Sequence, residues 1–284
     1  MGYHRFINIL YSMCISGEKA EMSMIVKLLE ADTESSDALY LRECAYGAAL
    51  IITKEKAYVW GMLNICQMPL FMSTKNNSAR KNRHRAADNK LVDVIGFYKE
   101  KGMSSIILNP HETAGRHLLP EKIVGIKERT GCSFKIAAIA GGRQNCNNTE
   151  NNMSPVYRGA DKENKIEFVT VVEFECREYS NNEVAEIISD VLDRQQNTSC
   201  IVLEFTKCRE QGFFSDEKIA QITAVLRLAS GSLIKNICVS PVVKKACISG
   251  ANAALVSVGE NIYDLPDERE NNIKTVFYKA GYNI

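Results

Sequence analysis

The sequence predicts an α/β fold, a TIM-type (β/α) barrel, because seven short apolar runs alternate with amphipathic helical stretches along its 284 residues. The runs are almost continuously apolar, which is typical of strands buried on both faces of a parallel sheet. Helical patterns fill most of the gaps between them, as the crossover connections of such a sheet require. Seven strands fit a barrel better than a short open sheet.

The elements follow in a regular order. The stretch 6–15 predicts a docked N-terminal helix rather than a signal peptide, since it lacks a small-residue cleavage site. Helices at 18–30 and 34–53 follow, with Ser35 or Ser36 as the N-cap of the second. The predicted strands are 57–65, 104–109, 134–140, 166–175, 200–206, 234–240 and 253–258. The predicted helices among and after them are 90–101, 120–130, 182–195, 216–229, 243–249 and 268–280.

One gap departs from this alternation. Residues 141–165 are polar and rich in Asn, with no convincing helix where an eight-stranded barrel needs a further strand and helix. We therefore expect a shortened or interrupted barrel with a long polar loop. The predicted organisation is an N-terminal helical extension at 1–55, a barrel at 56–262 and a C-terminal helix at 263–284.

Composition excludes some classes of function. The formal net charge is +1 and charged residues make up 24% of the chain, so nothing global predicts a nucleic-acid partner. No apolar run reaches the roughly 18–20 residues that span a bilayer, so no membrane partner is expected. The ten cysteines include no C-x-x-C pair, and several lie in apolar runs. They predict buried free thiols in a reducing cytoplasm rather than a disulfide framework.

Sites in barrels form on the loops that follow the strands' carboxyl ends. The loop after the first strand reads NICQMPLFMSTKNNSARKNRHRAAD and combines a cysteine with a basic run that contains Arg83 and Arg85. Cys66 suits a remnant metal ligand, a redox thiol or a buried small apolar residue, and the last is favoured because the loop holds no second cysteine. The basic run has no interleaved aromatic residues, which disfavours nucleic-acid binding.

This loop resembles the biotin synthase branch of the radical SAM enzymes, and within it the methylornithine synthases of pyrrolysine biosynthesis. In that family a strand leads into C-x-x-x-C-x-x-C and then into a basic stretch that ends in N-R-x-R. Laid on the chain without a gap, the first cysteine falls on Cys66 and N-R-x-R falls on 82–85. The second and third cysteine positions read Leu70 and Ser73.

The resemblance implies a [4Fe–4S] cluster held by three thiolates, with S-adenosylmethionine on the fourth iron. One thiolate does not retain such a cluster, so the sequence predicts no bound cofactor. The resemblance covers most of the chain except about 141–165, and 250–252 match the family's closing G-A-N. Glu112 matches the acid that holds the methionyl amino group, while the family's substrate-holding Arg and Asp have no evident counterparts.

Four acids are candidate ligand-binding residues. Glu112, Glu173, Glu175 and Glu204 lie near the predicted ends of strands, where a carboxylate is placed to hold a ligand amine. Three of them also have a purely structural interpretation, as a helix-start acid for Glu112 or as a strand emerging into solvent for Glu173 and Glu175. Glu204 lies inside an apolar strand, where an acid needs a partner or a pocket. The histidines of HETAGRH at 111–117 are six residues apart and do not fit the zinc spacing H-E-x-x-H.

Two functions remain open at this stage. The first is a cluster-less, non-catalytic relative that binds a small molecule or a protein partner, such as an active homologue. The second is an enzyme of amino-acid or cofactor biosynthesis, with unusual cluster ligands or with cluster-free chemistry. The missing attachment for the cofactor favours the first.

Overall fold

The computed structural model describes residues 2–64, 92–93, 95–96, 98–100, 103, 105–109, 120–140, 167–194, 200–205, 214–241, 243–257 and 267–284. Within these ranges, no helix is both long and apolar enough to cross a membrane.

Three helices precede the first strand: α1 (Tyr3–Ser16), α2 (Met22–Leu29) and α3 (Ser36–Thr53). The helix predicted within 6–15 is confirmed. Gly17 ends α1 in the left-handed conformation, with φ of 88°, which glycine adopts without steric cost. Ser35 is the N-cap of α3, because its side chain accepts a hydrogen bond from the Ala38 N–H.

Seven strands and five further α-helices follow with defined bounds, and the described residues between 92 and 100 are helical as well. The strands are β1 (Tyr58–Asn64), β2 (Ser105–Asn109), β3 (Ser133–Ala140), β4 (Glu167–Phe174), β5 (Cys200–Phe205), β6 (Asn236–Ser240) and β7 (Ala253–Ser257). The helices are α4 (Pro120–Thr130), α5 (Asn181–Arg194), α6 (Asp216–Ala229), α7 (Lys244–Cys247) and α8 (Asp267–Lys279). All seven predicted strands are present, with ends that differ by one or two residues.

The strands form one closed parallel barrel in chain order, with β7 paired to β1. Pairing of Tyr58 with Ala253 and of Trp60 with Leu255 closes the ring without an eighth strand. The prediction of a shortened TIM-type barrel is therefore confirmed, while the polar loop at 141–165 lies outside the described residues.

The alternation of strand side chains separates two cores. Inward-facing residues such as Trp60, Ile107 and Val202 fill the barrel. Residues of the opposite strand faces, such as Leu203, pack against helices, and α1 and α2 join the same outer core through Leu10 and Ile25 among others. The barrel centre is therefore a packed core.

A buried polar network fixes the opposite, amino-terminal end. Arg227 of α6 is fully buried and donates to the carbonyl oxygens of Gly250 at 2.9 Å and Ile234 at 2.7 Å, and to Asn252 Oδ1 at 3.1 Å. Asn252 also accepts from the Ile237 N–H at 3.0 Å and donates to the Lys56 carbonyl at 3.3 Å. The G-A-N segment thus ties α6 and β6 to the start of β1.

Candidate functional site at the barrel mouth

Glu173 and Glu204 lie side by side at the carboxyl ends of β4 and β5. The register pairs them directly, and it pairs Glu204 with Ser240 on β6. The neighbours of Glu204 along its strand, Leu203 and Phe205, belong to the outer core, as do the neighbours of Glu173. Because side chains alternate along a strand, both carboxylates face the inside of the barrel.

The pair makes this part of the mouth acidic. Adjacent strands are about 4.8 Å apart, so two register-paired carboxylates are close neighbours that repel each other. Both side chains are half-buried, and each takes part in further polar interactions. A cation bound between them would relieve the repulsion.

The thiol below this pair is chemically inert. Burial is the main cause that raises the pKa of Cys238, and the nearby Cys200, Cys247 and Glu204 raise it further. A thiol with a raised pKa is a poor nucleophile and a poor metal ligand at neutral pH. Cys238 therefore forms part of the floor and is not a reacting group.

Glu175 is separated from the acidic pair. It lies one residue beyond the end of β4, its side chain is 73% exposed, and its carboxylate is 3.9 Å from Arg177 Nε. Its backbone N–H donates to the Tyr179 hydroxyl at 2.9 Å. The structure thus brings Glu173 and Glu204 together and places Glu175 on the outer rim.

The turn from β4 to α5 is tightly hydrogen-bonded, a feature that the sequence analysis missed. Glu183 accepts from the Ser180 N–H at 2.9 Å, and the Glu183 N–H donates to Ser180 Oγ at 3.2 Å, which makes a capping box. Arg177 donates to Glu183 at 3.0 Å and lies 3.7 Å from the ring centroid of Tyr179. The hydrogen bond from the Ser180 backbone, with those from Arg177 and Ser180 Oγ, lowers the pKa of Glu183 to about 2.

This turn carries a sequence signal. The letters SNNE at 180–183 have the S-x-x-E spacing of a capping box directly before an amphipathic helix. The Arg177 contacts have no such signal, since they depend on how the turn folds. The contacts of Arg177 hold the conformation of the turn that follows Glu173.

A second charged group lies inside the barrel. Lys135 of β3 is buried, forms an ion pair with Glu167 at the start of β4, and has its Nζ 5.3 Å from the centroid of a Trp60 ring. Glu167 is largely exposed at the amino-terminal end of its strand. Functional groups of (β/α) barrels gather at the opposite end, so this ion pair is a structural one.

Several predicted site residues lie outside the described residues. They are Cys66, Arg83, Arg85 and Glu112. Their roles stay predictions.

The expectation for the cysteines needs one correction. Cys14, Cys44, Cys132, Cys200, Cys238 and Cys247 are free, as predicted, and all but Cys44 are buried. Cys176, two residues beyond β4, is instead disulfide-bonded. Sequence spacing gave no sign of this bond, because tertiary structure decides which cysteines approach one another.

The sequence alignment predicts a donor set that does not fit the cluster of the radical SAM enzymes, and the aligned loop lies outside the described residues. A [4Fe–4S] cluster needs three thiolates from the protein and one open iron, and a single cysteine occupies the three aligned positions. Among the described residues, no group of three His, Cys, Asp or Glu side chains is arranged to hold a metal ion.

Comparison with known proteins identifies the fold. No family model matches the chain, and no curated protein matches its sequence. The structure of methylornithine synthase (PylB) superposes with a TM-score of 0.64 and 9% identity, covering 97% of this chain and 97% of that chain. HydG, a maturase of the [FeFe]-hydrogenase, superposes with a TM-score of 0.63 and 10% identity, covering 98% and 75%. The barrel therefore has the fold of radical SAM enzymes, as the resemblance implied; at these identities the likeness establishes the fold alone.

Proposed function

We propose that this chain is a radical-SAM-type barrel that binds a positively charged small molecule at its mouth and holds no iron–sulfur cluster. It acts as a binding or partner protein and does not cleave S-adenosylmethionine reductively. The register-paired, inward-facing carboxylates of Glu173 and Glu204 carry the proposal.

The position of the pair supports a binding role. The barrel centre below it is filled by side chains of β1, β2, β4 and β5 among others, so a ligand meets the chain at the mouth. Carboxylates on strand ends recognise ammonium groups through charge and hydrogen bonds, and sulfonium groups through charge. Glu112, which matches the family's amino-group ligand, is proposed to complete the site from the loop after β2.

The sequence supports the absence of catalysis. Leu70 and Ser73 stand where the family has the second and third cluster cysteines. Leucine has no donor atom and a serine hydroxyl is a poor ligand for these irons. The alternative, an active enzyme of amino-acid or cofactor biosynthesis, requires cluster ligands that the family does not use.

A pair of related ligands tests the binding site. S-adenosylmethionine carries a sulfonium cation, and S-adenosylhomocysteine is the same molecule with a neutral thioether. Isothermal titration of the full chain is expected to show tighter binding of S-adenosylmethionine. Equal binding of both, or binding of neither, would contradict recognition of this cation.

Variants locate the site within the chain. Glu204→Gln is expected to weaken binding of S-adenosylmethionine by about 1–3 kcal/mol, the scale of one charged hydrogen bond. Glu175→Gln is the matched control, because this acid lies on the outer rim. An equal loss of affinity in both variants would show a general effect of charge. An unchanged affinity in Glu204→Gln would show that the acidic pair does not bind this ligand.

A further inference from the structure

Lys218 has an unusual environment at the first turn of α6. Its Nζ donates to Asn181 Oδ1 at 3.0 Å and to Gln221 Oε1 at 3.1 Å. Gln221 is fully buried, and its Nε2 donates to the Ala31 carbonyl at 2.8 Å. The amine therefore sits where the first turns of α5 and α6 meet the end of α2.

The two acceptors that Lys218 has among the described residues match the two N–H donors of a neutral amine. An ammonium has three N–H donors, whereas a neutral amine has two donors and one lone pair. Both acceptors are uncharged amides, and they take up both protons of the neutral form. The lone pair is then left for an incoming electrophile.

Among the described residues, no carboxylate forms an ion pair with Lys218. Within the described ranges, the lysine–carboxylate ion pairs are Lys135–Glu167 and Lys245–Glu217, and neither includes Lys218. The amino-terminal ends of α5 and α6 carry partial positive charge, which disfavours a cation beside them. Burial lowers the pKa of Lys218.

The charged groups on the surrounding elements do not offset this. They are Arg177 before α5, Glu183 on α5, Asp216 and Glu217 on α6, and Glu30 and Asp32 after α2. Glu183 is held by Arg177 and Ser180, and Glu217 is held by Lys245. Burial alone accounts for the lowered pKa of Lys218.

We propose that Lys218 is a nucleophilic amine that accepts an acyl group from an activated donor such as a thioester. The Nζ lone pair attacks the acyl carbon, the carbon–sulfur bond breaks, and an amide carbon–nitrogen bond forms. The proton from nitrogen leaves with the thiolate as the free thiol. This modification site goes beyond the proposed function and does not depend on it.

Competitive labelling of the native full chain tests the proposal. The protein is treated with limiting S-acetyl-N-acetylcysteamine between pH 7 and 11, then denatured and fully acetylated with a deuterated reagent. Mass spectrometry gives the light-to-heavy ratio of each lysine. Restricted access of the reagent to the amine slows the reaction by the same factor at every pH and leaves the pH midpoint unchanged, so the midpoint reports the protonation of the amine. The midpoint of Lys218 is expected clearly below that of N-acetyl-lysine amide, and a midpoint at or above that reference would overturn the proposal.

A matched pair of variants adds a second test. Asn181→Asp replaces one amide acceptor with a carboxylate, which stabilises the ammonium and is expected to raise the midpoint of Lys218. Asn182→Asp places the same charge one residue further on, at an exposed position. Equal midpoints in the two variants would overturn the assignment. The wild-type midpoint decides the question alone if Asn181→Asp does not fold.

Discussion

Gly250 shows at the residue scale why a short motif can be structural. Its φ is +109°, and a Cβ atom there would lie 2.9 Å from Cβ of Arg227. The segment therefore needs glycine both for its backbone conformation and for the close approach of α6. The G-A-N match in the sequence is explained by packing at the amino-terminal end of the barrel, away from the mouth.

Gly250→Ala is expected to lower the free energy of unfolding by about 1–3 kcal/mol, the cost of a strained backbone and a displaced neighbour. Gly125→Ala in α4 is the control, because a Cβ there meets nothing within 4 Å. That change should stabilise by about 0.5–1 kcal/mol, as alanine does in a helix. Urea unfolding of both variants measures the difference, and equal effects would contradict the close packing on Arg227.

Asn252 is the centre of the same network. Asn252→Ala leaves the buried guanidinium of Arg227 and the Ile237 N–H each without one acceptor. Leaving buried donors unsatisfied costs about 1–3 kcal/mol for each group, so a loss of at least about 2 kcal/mol is expected. A change below about 0.5 kcal/mol, as is usual at surface positions, would contradict the role of this residue.

The candidate acids show how far the sequence reaches at this scale. The positions of Glu173 and Glu204 near strand ends follow from the apolar runs. The direct pairing of Glu173 with Glu204 does not follow from the apolar runs, because it depends on the stagger between β4 and β5. Glu175 shared the sequence pattern with Glu173, and it lies outside the pair because β4 ends at Phe174.

At the scale of elements, the capping box of α5 makes a prediction about pH. The folded-state pKa of Glu183, about 2, lies below the ordinary value of 4.5. Its stabilising contribution is therefore complete above about pH 4.5 and is lost as the pH falls toward 2. The stability difference between wild type and Glu183→Gln should shrink between pH 5 and pH 3.

Glu186→Gln is the control for this prediction, since Glu186 is exposed on the same helix. Thermal unfolding is followed at several pH values for both variants and wild type. A difference for Glu183→Gln that is constant from pH 7 to pH 3 would show that the charge of this carboxylate does not matter.

The strands were predictable as elements because buried parallel strands need continuous apolar runs, and those runs are visible in the sequence. The contacts of Arg177 and Tyr179 in the turn from β4 to α5 were not predictable. They depend on the directions of side chains, which are set only when the backbone of the turn is folded. Turn chemistry of this kind is local in sequence but not periodic. It is therefore harder to predict than a strand or a helix.

At the scale of the whole molecule, the barrel closes with seven strands. Its fold is that of the radical SAM enzymes in the comparison. The number of strands was predictable from the count of apolar runs. The disulfide of Cys176 was not, since it needs the three-dimensional path of the loops. The number and spacing of the cysteines had predicted free thiols instead.

Alkylation tests this pattern of cysteines. Chain denatured without a reductant and treated with iodoacetamide should be modified at the six cysteines that are free among the described residues and not at Cys176. Prior reduction should make Cys176 reactive as well. Peptide mapping reads both results, and alkylation of Cys176 without reduction would refute the bond.

The most direct test of the proposed function is anaerobic reconstitution with iron and sulfide. Iron analysis and an EPR spectrum are then recorded with and without S-adenosylmethionine. We expect less than one iron per chain and no spectral response to S-adenosylmethionine. About four irons per chain, the content of a [4Fe–4S] cluster, with a spectrum that changes on adding S-adenosylmethionine, would contradict a barrel that works without a cluster.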